Sequence, residues 1–283
     1  MMGNKFSDYA ALIRFDKPIG TLLVLWPTLW GLWLASSGAV RFDYFFIFTL
    51  GCFLMRSAGC AINDYADRDF DKHVQRTQDR PVTAGRVKPF EALIVTAILA
   101  VASFILIWPL NAYAKWISVP ALLVAIIYPF TKRFFSIPQA ILGIAFSFGI
   151  PMSYAAVTNH IPWEAWILVL ANVAWAIAYD TAYAMVDRED DMKIGIKTSA
   201  ITFGQYDLKI IMICYSIMML CFAWLGVTKA ANFSYWLLYV VAIILVIYYY
   251  QLMRARERTS CFLAFRRNNW LGACLFFAIA AGF

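Results

Sequence analysis

The sequence predicts an all-α polytopic membrane protein, and three observations carry that expectation. Of the 283 residues, 63% are hydrophobic and only 14% charged, where a soluble chain carries about 45–50% apolar and about 25% charged residues. Apolar runs close to the ~20 residues that a bilayer-spanning helix needs recur from end to end. Basic residues concentrate in alternate connections between those runs. The composition alone excludes an ordinary soluble domain, a disordered chain and a fibrous protein.

Taken in order, residues 1–17 mix polar and apolar side chains, with Asp8, Arg14 and Asp16 among them. No short apolar core there ends in a small-residue cleavage site, so the segment reads as an amphipathic lead-in on the membrane surface rather than a cleavable signal. Spans are then expected over 19–37, 44–63, 90–109, 113–130, 138–157, 163–185, 208–228, 233–253 and 269–283, about nine in all, the last being the shortest. No soluble domain and no low-complexity linker interrupts them, so 1–283 reads as a single transmembrane domain.

The connections set the topology. Twenty of the 24 Lys and Arg fall at the N-terminus, in 64–89, at 132–133, between 188 and 209, and between 254 and 267. Only Arg41, Lys115 and Lys229 lie on the other side, and Arg56 lies inside a span. Cytoplasmic loops collect Lys and Arg, so the N-terminus and the 64–89 and 186–207 loops are expected in the cytoplasm. The formal charge of +7 is therefore read as topology, not as a nucleic-acid footprint. The six cysteines form no CxxC pair, and His73 and His160 are too few for a histidine metal centre. The two long cytoplasmic loops are loosely alike, each carrying spaced aspartates and then basic residues, as an internal repeat would.

Two clusters carry chemistry. In Asn63-Asp64-Tyr65-Ala66-Asp67-Arg68-Asp69-Phe70-Asp71, the residues Asn63, Asp67 and Asp71 step by four and share one helix face. Like charges at that spacing repel, so the face calls for a cation; the plain alternative is a solvated acidic helix end. In the 179–191 segment, Tyr179, Tyr183, Asp187 and Asp191 again step by four, with Lys193 and Lys197 following. An aromatic belt and a charged loop would be the plain reading of that segment alone.

Carboxylates from two helices with cations between them suit Mg²⁺ and a phosphorylated substrate. A diphosphate at the cytoplasmic mouth of a membrane cavity implies a tail at home in the bilayer, hence a prenyl diphosphate. Metal and cations would stabilise the departing diphosphate, and the rings of Tyr179 and Tyr183 an allylic cation. Arg56, an intramembrane charge seven residues before Asn63, is expected on the same face. Lys132 and Arg133 read either as topology-setting charges or as an anion clamp. A cation transporter or channel with an acidic mouth is the rival class, disfavoured because no acidic cluster lies at mid-membrane.

At these residues the chain resembles the UbiA superfamily of intramembrane prenyltransferases. The resemblance runs nearly end to end, through Asp16-Lys17-Pro18-Ile19-Gly20, Leu54-Met55-Arg56, the 63–71 motif, Arg80-Pro81, Tyr128-Pro129-Phe130-Thr131-Lys132-Arg133, 179–197 and Phe203-Gly204-Gln205-Tyr206-Asp207. The stretch Asp187-Arg188-Glu189-Asp190-Asp191-Met192-Lys193-Ile194-Gly195-Ile196-Lys197 is similar to the branch that acts on 4-hydroxybenzoate in ubiquinone biosynthesis in the bacterial inner membrane. The resemblance implies nine helices around a central cavity open to the cytoplasm and to lipid. It implies Mg²⁺-dependent transfer of a polyprenyl group from polyprenyl diphosphate to the ring carbon ortho to the hydroxyl of 4-hydroxybenzoate. A relative with another aromatic acceptor is the alternative. Asn63, Asp67, Asp71, Asp187 and Asp191 match the metal–diphosphate residues, and Arg133 matches an arginine that binds a substrate anion. Asp64 belongs to the motif, with its side chain off that face.

Overall fold

A computed structural model describes residues 5–283; residues 1–4, part of the expected lead-in, lie outside the described residues. The architecture is helical throughout. The lead-in forms a short helix, α1 (Lys5–Leu12), followed by α2 (Ile19–Ala35), α3 (Phe42–Asp67), α4 (Pro89–Leu106) and α5 (Ala112–Thr131). The second half runs through α6 (Pro138–Ser147), α7 (Gly149–Thr158), α8 (Trp163–Ile194), α9 (Ser199–Phe203), α10 (Asp207–Thr228), α11 (Phe233–Met253) and α12 (Arg258–Gly282).

Seven stretches among the described residues are long and apolar enough to cross a membrane: α3, α4, α5, α6 with α7, α8, α9 with α10, and α11. The two other expected spans fall on α2, an apolar helix of 17 residues, and on the second half of α12. The first turns of α12 carry Arg258, Arg266 and Arg267, which lowers its mean hydropathy.

The expected 138–157 span is helical but broken at Phe148. Pro151 has no N–H to offer the Ser147 carbonyl four residues back, so the helix ladder cannot run through. The break lets α7 press on α2: a Cβ on Gly149 would stand 1.9 Å from Thr28 Oγ1.

Burial separates inner from outer helices. In α8, 61% of the apolar window is buried within the protein, against 11% in α4 and 17% in α5. The outer faces carry Ile98, Val101 and Ile105 on α4, Leu123 and Ile127 on α5, and Ile244 and Ile247 on α11, the residues a lipid chain would cover. The inner core centres on Trp30, which packs on Trp175 (centroids 5.4 Å apart) and edge-on to Phe222 (5.0 Å). Beside it, Asn268 Oδ1 accepts from Trp175 Nε1 and from Tyr215 Oη, each at 2.9 Å, the kind of pairing a lipid environment favours.

α1 does not stand apart. Leu12 is fully buried with Ala61, Val82, Val87 and Ala92, and Lys5 and Tyr9 donate to Glu91 at the start of α4 (3.2 and 3.1 Å). Asp8 accepts from Arg86 at 2.9 Å. The lead-in is thus fastened to the loop between α3 and α4.

Candidate active site

Helical periodicity accounts for part of the two four-residue series; Asp71 lies past the end of α3, and Tyr179 stays outside the cavity. The last turns of α3 bring Asn63 and Asp67 to one cavity, and a 3₁₀ turn over Asp71–His73 adds Asp71. α8 runs 32 residues and presents Asp180, Tyr183, Asp187 and Asp191 to the same space. It stops at Gly195, whose left-handed backbone (φ 72°) suits glycine and turns the chain back toward the cavity. That turn adds Lys197 and Thr198, while α5 and its end contribute Tyr128 and Lys132. The resulting polar cavity holds about 150 Å³ and is lined by both motifs at once.

Cations interleave with the carboxylates. Lys132 Nζ stands 2.5 Å from Asp67, Arg80 Nη1 stands 2.7 Å from Asp71, and Arg76 grips Asp187 with Nη2 at 2.5 Å and Nε at 3.1 Å. Burial opposes the charge on Arg80, but the carboxylates of Asp71 and Asp64 outweigh it and raise its pKa. Arg76 is raised in the same way: burial opposes it, and Tyr183 and Asp187 overcome that opposition. Both guanidiniums therefore stay charged at any pH the protein survives.

Among the described residues, no three His, Cys, Asp or Glu side chains stand ready to hold a metal by themselves. The donor set is nonetheless of the kind Mg²⁺ takes: hard oxygens from two helices, with phosphate oxygens expected to complete the shell. Asp67 Oδ1 is buried with no hydrogen-bond partner, an acceptor still to be used. The residues fit a metal that arrives with a phosphorylated ligand better than one bound alone.

Asp64, expected off the shared face, is fully buried and turned to Arg14 Nη2 at 2.7 Å, away from the cavity. Not every expected residue reaches the cavity. Arg133 donates to the Ala66 carbonyl at 2.8 Å and lies over the rings of Phe70 and Phe130. It braces the end of α3 instead of lining the cavity. Lys193 is exposed, 3.7 Å from Asp190, because the last turn of α8 points it outward. Tyr183 lines the cavity, but the Arg76 guanidinium already lies over its ring at 4.4 Å and Phe265 packs on it at 4.4 Å. That ring is less free to face an allylic cation than its position in the sequence implies.

Deeper in the membrane region, Arg56 bonds Cys60 Sγ through Nη1, and its Nε is buried without a partner. It interacts electrostatically with Asp180, Tyr128 and Tyr179. Tyr179 is buried against Trp175, and its hydroxyl also lacks a partner. These groups make a second polar set beside the first.

Sequence reasoning missed Arg76, Arg80 and Asp180 as cavity residues. Asp180 had a usable signal, since it precedes Asp187 by seven residues and so shares its helix face. Arg76 and Arg80 sit in a loop of turns, where no periodicity reports direction.

Long apolar helices around a cavity of alternating carboxylates and cations define the class: a multi-pass membrane protein with a charged site at its helix ends. The profile of the UbiA prenyltransferase family matches residues 24–278, and the chain belongs to that family. Over 282 residues, covering 100% of this chain and 99% of the relative, it is 57% identical to the 4-hydroxybenzoate octaprenyltransferase of Cupriavidus pinatubonensis. The fold is similar to that of a UbiA homologue from Aeropyrum pernix K1, with TM-score 0.80 at 22% identity over 92% of this chain and 96% of that one. It is also similar to a UbiA homologue from Archaeoglobus fulgidus bound to GPP and Mg²⁺, with TM-score 0.73 at 18% identity over 96% and 99% of the two chains.

Proposed function

We propose that this chain transfers a polyprenyl group from polyprenyl diphosphate to the ring carbon ortho to the hydroxyl of 4-hydroxybenzoate, releasing diphosphate. The observation that carries the reading is the convergence of Asn63, Asp67, Asp71, Asp187 and Asp191 with Arg76, Arg80, Lys132 and Lys197 around one cavity. The relative from Cupriavidus pinatubonensis, named for this reaction, supports it along the whole chain.

Asn63, Asp67, Asp71, Asp187 and Asp191 would hold Mg²⁺, which when bound neutralises charge on the diphosphate. Arg76, Arg80 and Lys132, now paired with carboxylates, are placed to turn toward phosphate oxygens as these enter. Their charges favour breaking the bond between the prenyl carbon and the diphosphate oxygen, because negative charge grows on that oxygen in the transition state. The aromatic ring then attacks the allylic carbon, and a base or water takes the proton from that ring carbon. Arg56, Tyr128, Tyr179 and Asp180 form the deeper end of the site and would receive the hydroxybenzoate. Arg133 supports the first motif from behind, and Lys193 serves the mouth of the site at longer range.

The N-terminus and the loops 64–89 and 186–207 are placed on the cytoplasmic side of the bacterial inner membrane by this reading, on the strength of their basic residues. The product would feed ubiquinone biosynthesis. Purified protein in detergent, given a short allylic diphosphate, Mg²⁺ and a panel of aromatic acceptors, tests the reaction. Prenylated 4-hydroxybenzoate is expected; product only with a different acceptor would reassign the substrate, and none with any acceptor would sink the enzyme reading.

A further inference from the structure

A second cluster of buried charge lies outside the cavity, at the start of α10. Asp207 is fully buried. It accepts from Arg188 Nη2 at 2.5 Å, from Arg256 Nη2 at 2.8 Å and Nε at 3.1 Å, and from the Leu208 N–H at 2.6 Å. Three distant parts of the chain meet there: the end of α8, the start of α10 and the turn between α11 and α12.

The two arginines do more than neutralise Asp207. Arg188 Nη2 also donates to the carbonyls of Ala200 (2.6 Å) and Gly204 (3.2 Å), and Arg256 Nη2 donates to Gln205 O at 3.1 Å. The pair thus closes around the backbone of 200–205. The upstream part of the same segment is fastened to the cavity wall. Lys197 N donates to Lys132 O at 3.1 Å, Ser199 N to Gln139 Oε1 at 3.1 Å, and Thr202 Oγ1 to Ser136 O at 2.6 Å. Residues 195–206 are therefore held at one end by the Asp207 cluster and at the other by α5 and α6. Lys197 and Thr198, which line the cavity, stand in the upstream hold, next to the stretch that the arginines grip. On α8, Asp187 and Arg188 are neighbours about 100° apart around the helix, so one turn faces the cavity with its carboxylate and the cluster with its guanidinium.

We propose that Asp207 is a positioning residue for prenyl diphosphate: through Arg188 and Arg256 it holds segment 195–206 so that Lys197 and Thr198 meet the diphosphate. The proposal rests on the diphosphate reading of the cavity. A purely structural ion-pair cluster would lower the amount of folded protein without selecting one substrate, and that difference is measurable.

The test compares wild type, Asp207→Asn, Asp207→Glu and Arg256→Gln in detergent, by steady-state kinetics with both substrates and by hydrogen exchange of 195–206. Asp207→Asn is expected to raise KM for the prenyl diphosphate about tenfold while KM for 4-hydroxybenzoate stays within about twofold, the split expected when one substrate's binding contacts are lost. Exchange in 195–206 should speed about tenfold as the segment opens locally. Arg256→Gln, which leaves Arg188 in place, should move both readouts in the same direction by about threefold, and Asp207→Glu should recover part of the loss. An unchanged diphosphate KM in Asp207→Asn and Arg256→Gln, or a loss confined to the yield of folded enzyme, overturns the proposal. Should Asp207→Asn not fold, Arg256→Gln decides alone. Should the wild type make no product, the functional reading falls, and hydrogen exchange still judges the hold on 195–206: unchanged exchange refutes it.

Discussion

Arg80 Nη1 stands 2.7 Å from Asp71 Oδ2, and the same guanidinium lies 3.7 Å from Asp64 and 3.9 Å from Asp67. One cation gathers the three carboxylates at the end of α3, which repulsion would otherwise drive apart. Asp64 is in turn held by Arg14, so the lead-in, the first motif and the 64–89 loop form one network.

Removing that cation should therefore cost stability as well as activity. Arg80→Gln leaves the buried Asp71 carboxylate without its cation, while Asp64 and Asp67 keep Arg14 and Lys132, and is expected to lower stability by about 3–5 kcal/mol at pH 8. The raised pKa of Arg80 means that its contribution is fully present below the ordinary arginine value and fades only above it, beyond any working pH. An unchanged thermal unfolding temperature in Arg80→Gln would contradict this network. Arg80→Lys restores charge without the fork and should recover only part of the loss.

Both motifs should be needed for turnover. Asp67→Ala and Asp191→Ala are each expected to cut product formation by on the order of 10²–10³ while the protein stays folded. The double variant should fall little below the worse single one, because residues acting as a unit are not additive. Independent, additive losses would argue against one shared site.

Chelation gives a third expectation. Excess EDTA should abolish product formation and Mg²⁺ should restore it, since phosphate-linked sites lean on the metal for charge neutralisation. Without prenyl diphosphate, Mg²⁺ should bind weakly, because Lys132, Arg80 and Arg76 already face Asp67, Asp71 and Asp187. Tight binding of Mg²⁺ alone, read by calorimetry, would contradict that arrangement.

The contact between α2 and α7 offers a test away from the chemistry. Gly149→Val would drive a side chain into Thr28, whose Oγ1 lies 1.9 Å from a Cβ at that position. A loss of about 1–3 kcal/mol is expected, as for other overpacked interiors. Thr28→Ala in the same chain should recover part of it.

Much of this architecture was legible in the residues. Apolar runs marked the helices because lipid-facing segments such as α4 and α11 are apolar nearly all round. The four-residue steps of Asn63 and Asp67, and of Tyr183, Asp187 and Asp191, bring those side chains to one cavity because a helix converts spacing into direction; Tyr179, expected on the same face, stays outside it, and Asp71 arrives through a 3₁₀ turn after α3 has ended. Arg76 and Arg80 stayed invisible because turns do not convert spacing into direction. Arg133 and Lys132 are adjacent, and nothing in the sequence says which faces Asp67; the end of α5 decides it. The break at Phe148 was written in Pro151, yet an apolar run reads through it.

The most direct test is calorimetric binding of a non-hydrolysable prenyl diphosphate analogue to the purified protein, with and without Mg²⁺, in wild type, Asp67→Ala and Asp191→Ala. The account predicts Mg²⁺-dependent binding in the wild type, weakened at least about tenfold by either substitution. Binding that ignores Mg²⁺, or that survives both substitutions unchanged, would contradict the claim that α3 and α8 together hold the diphosphate.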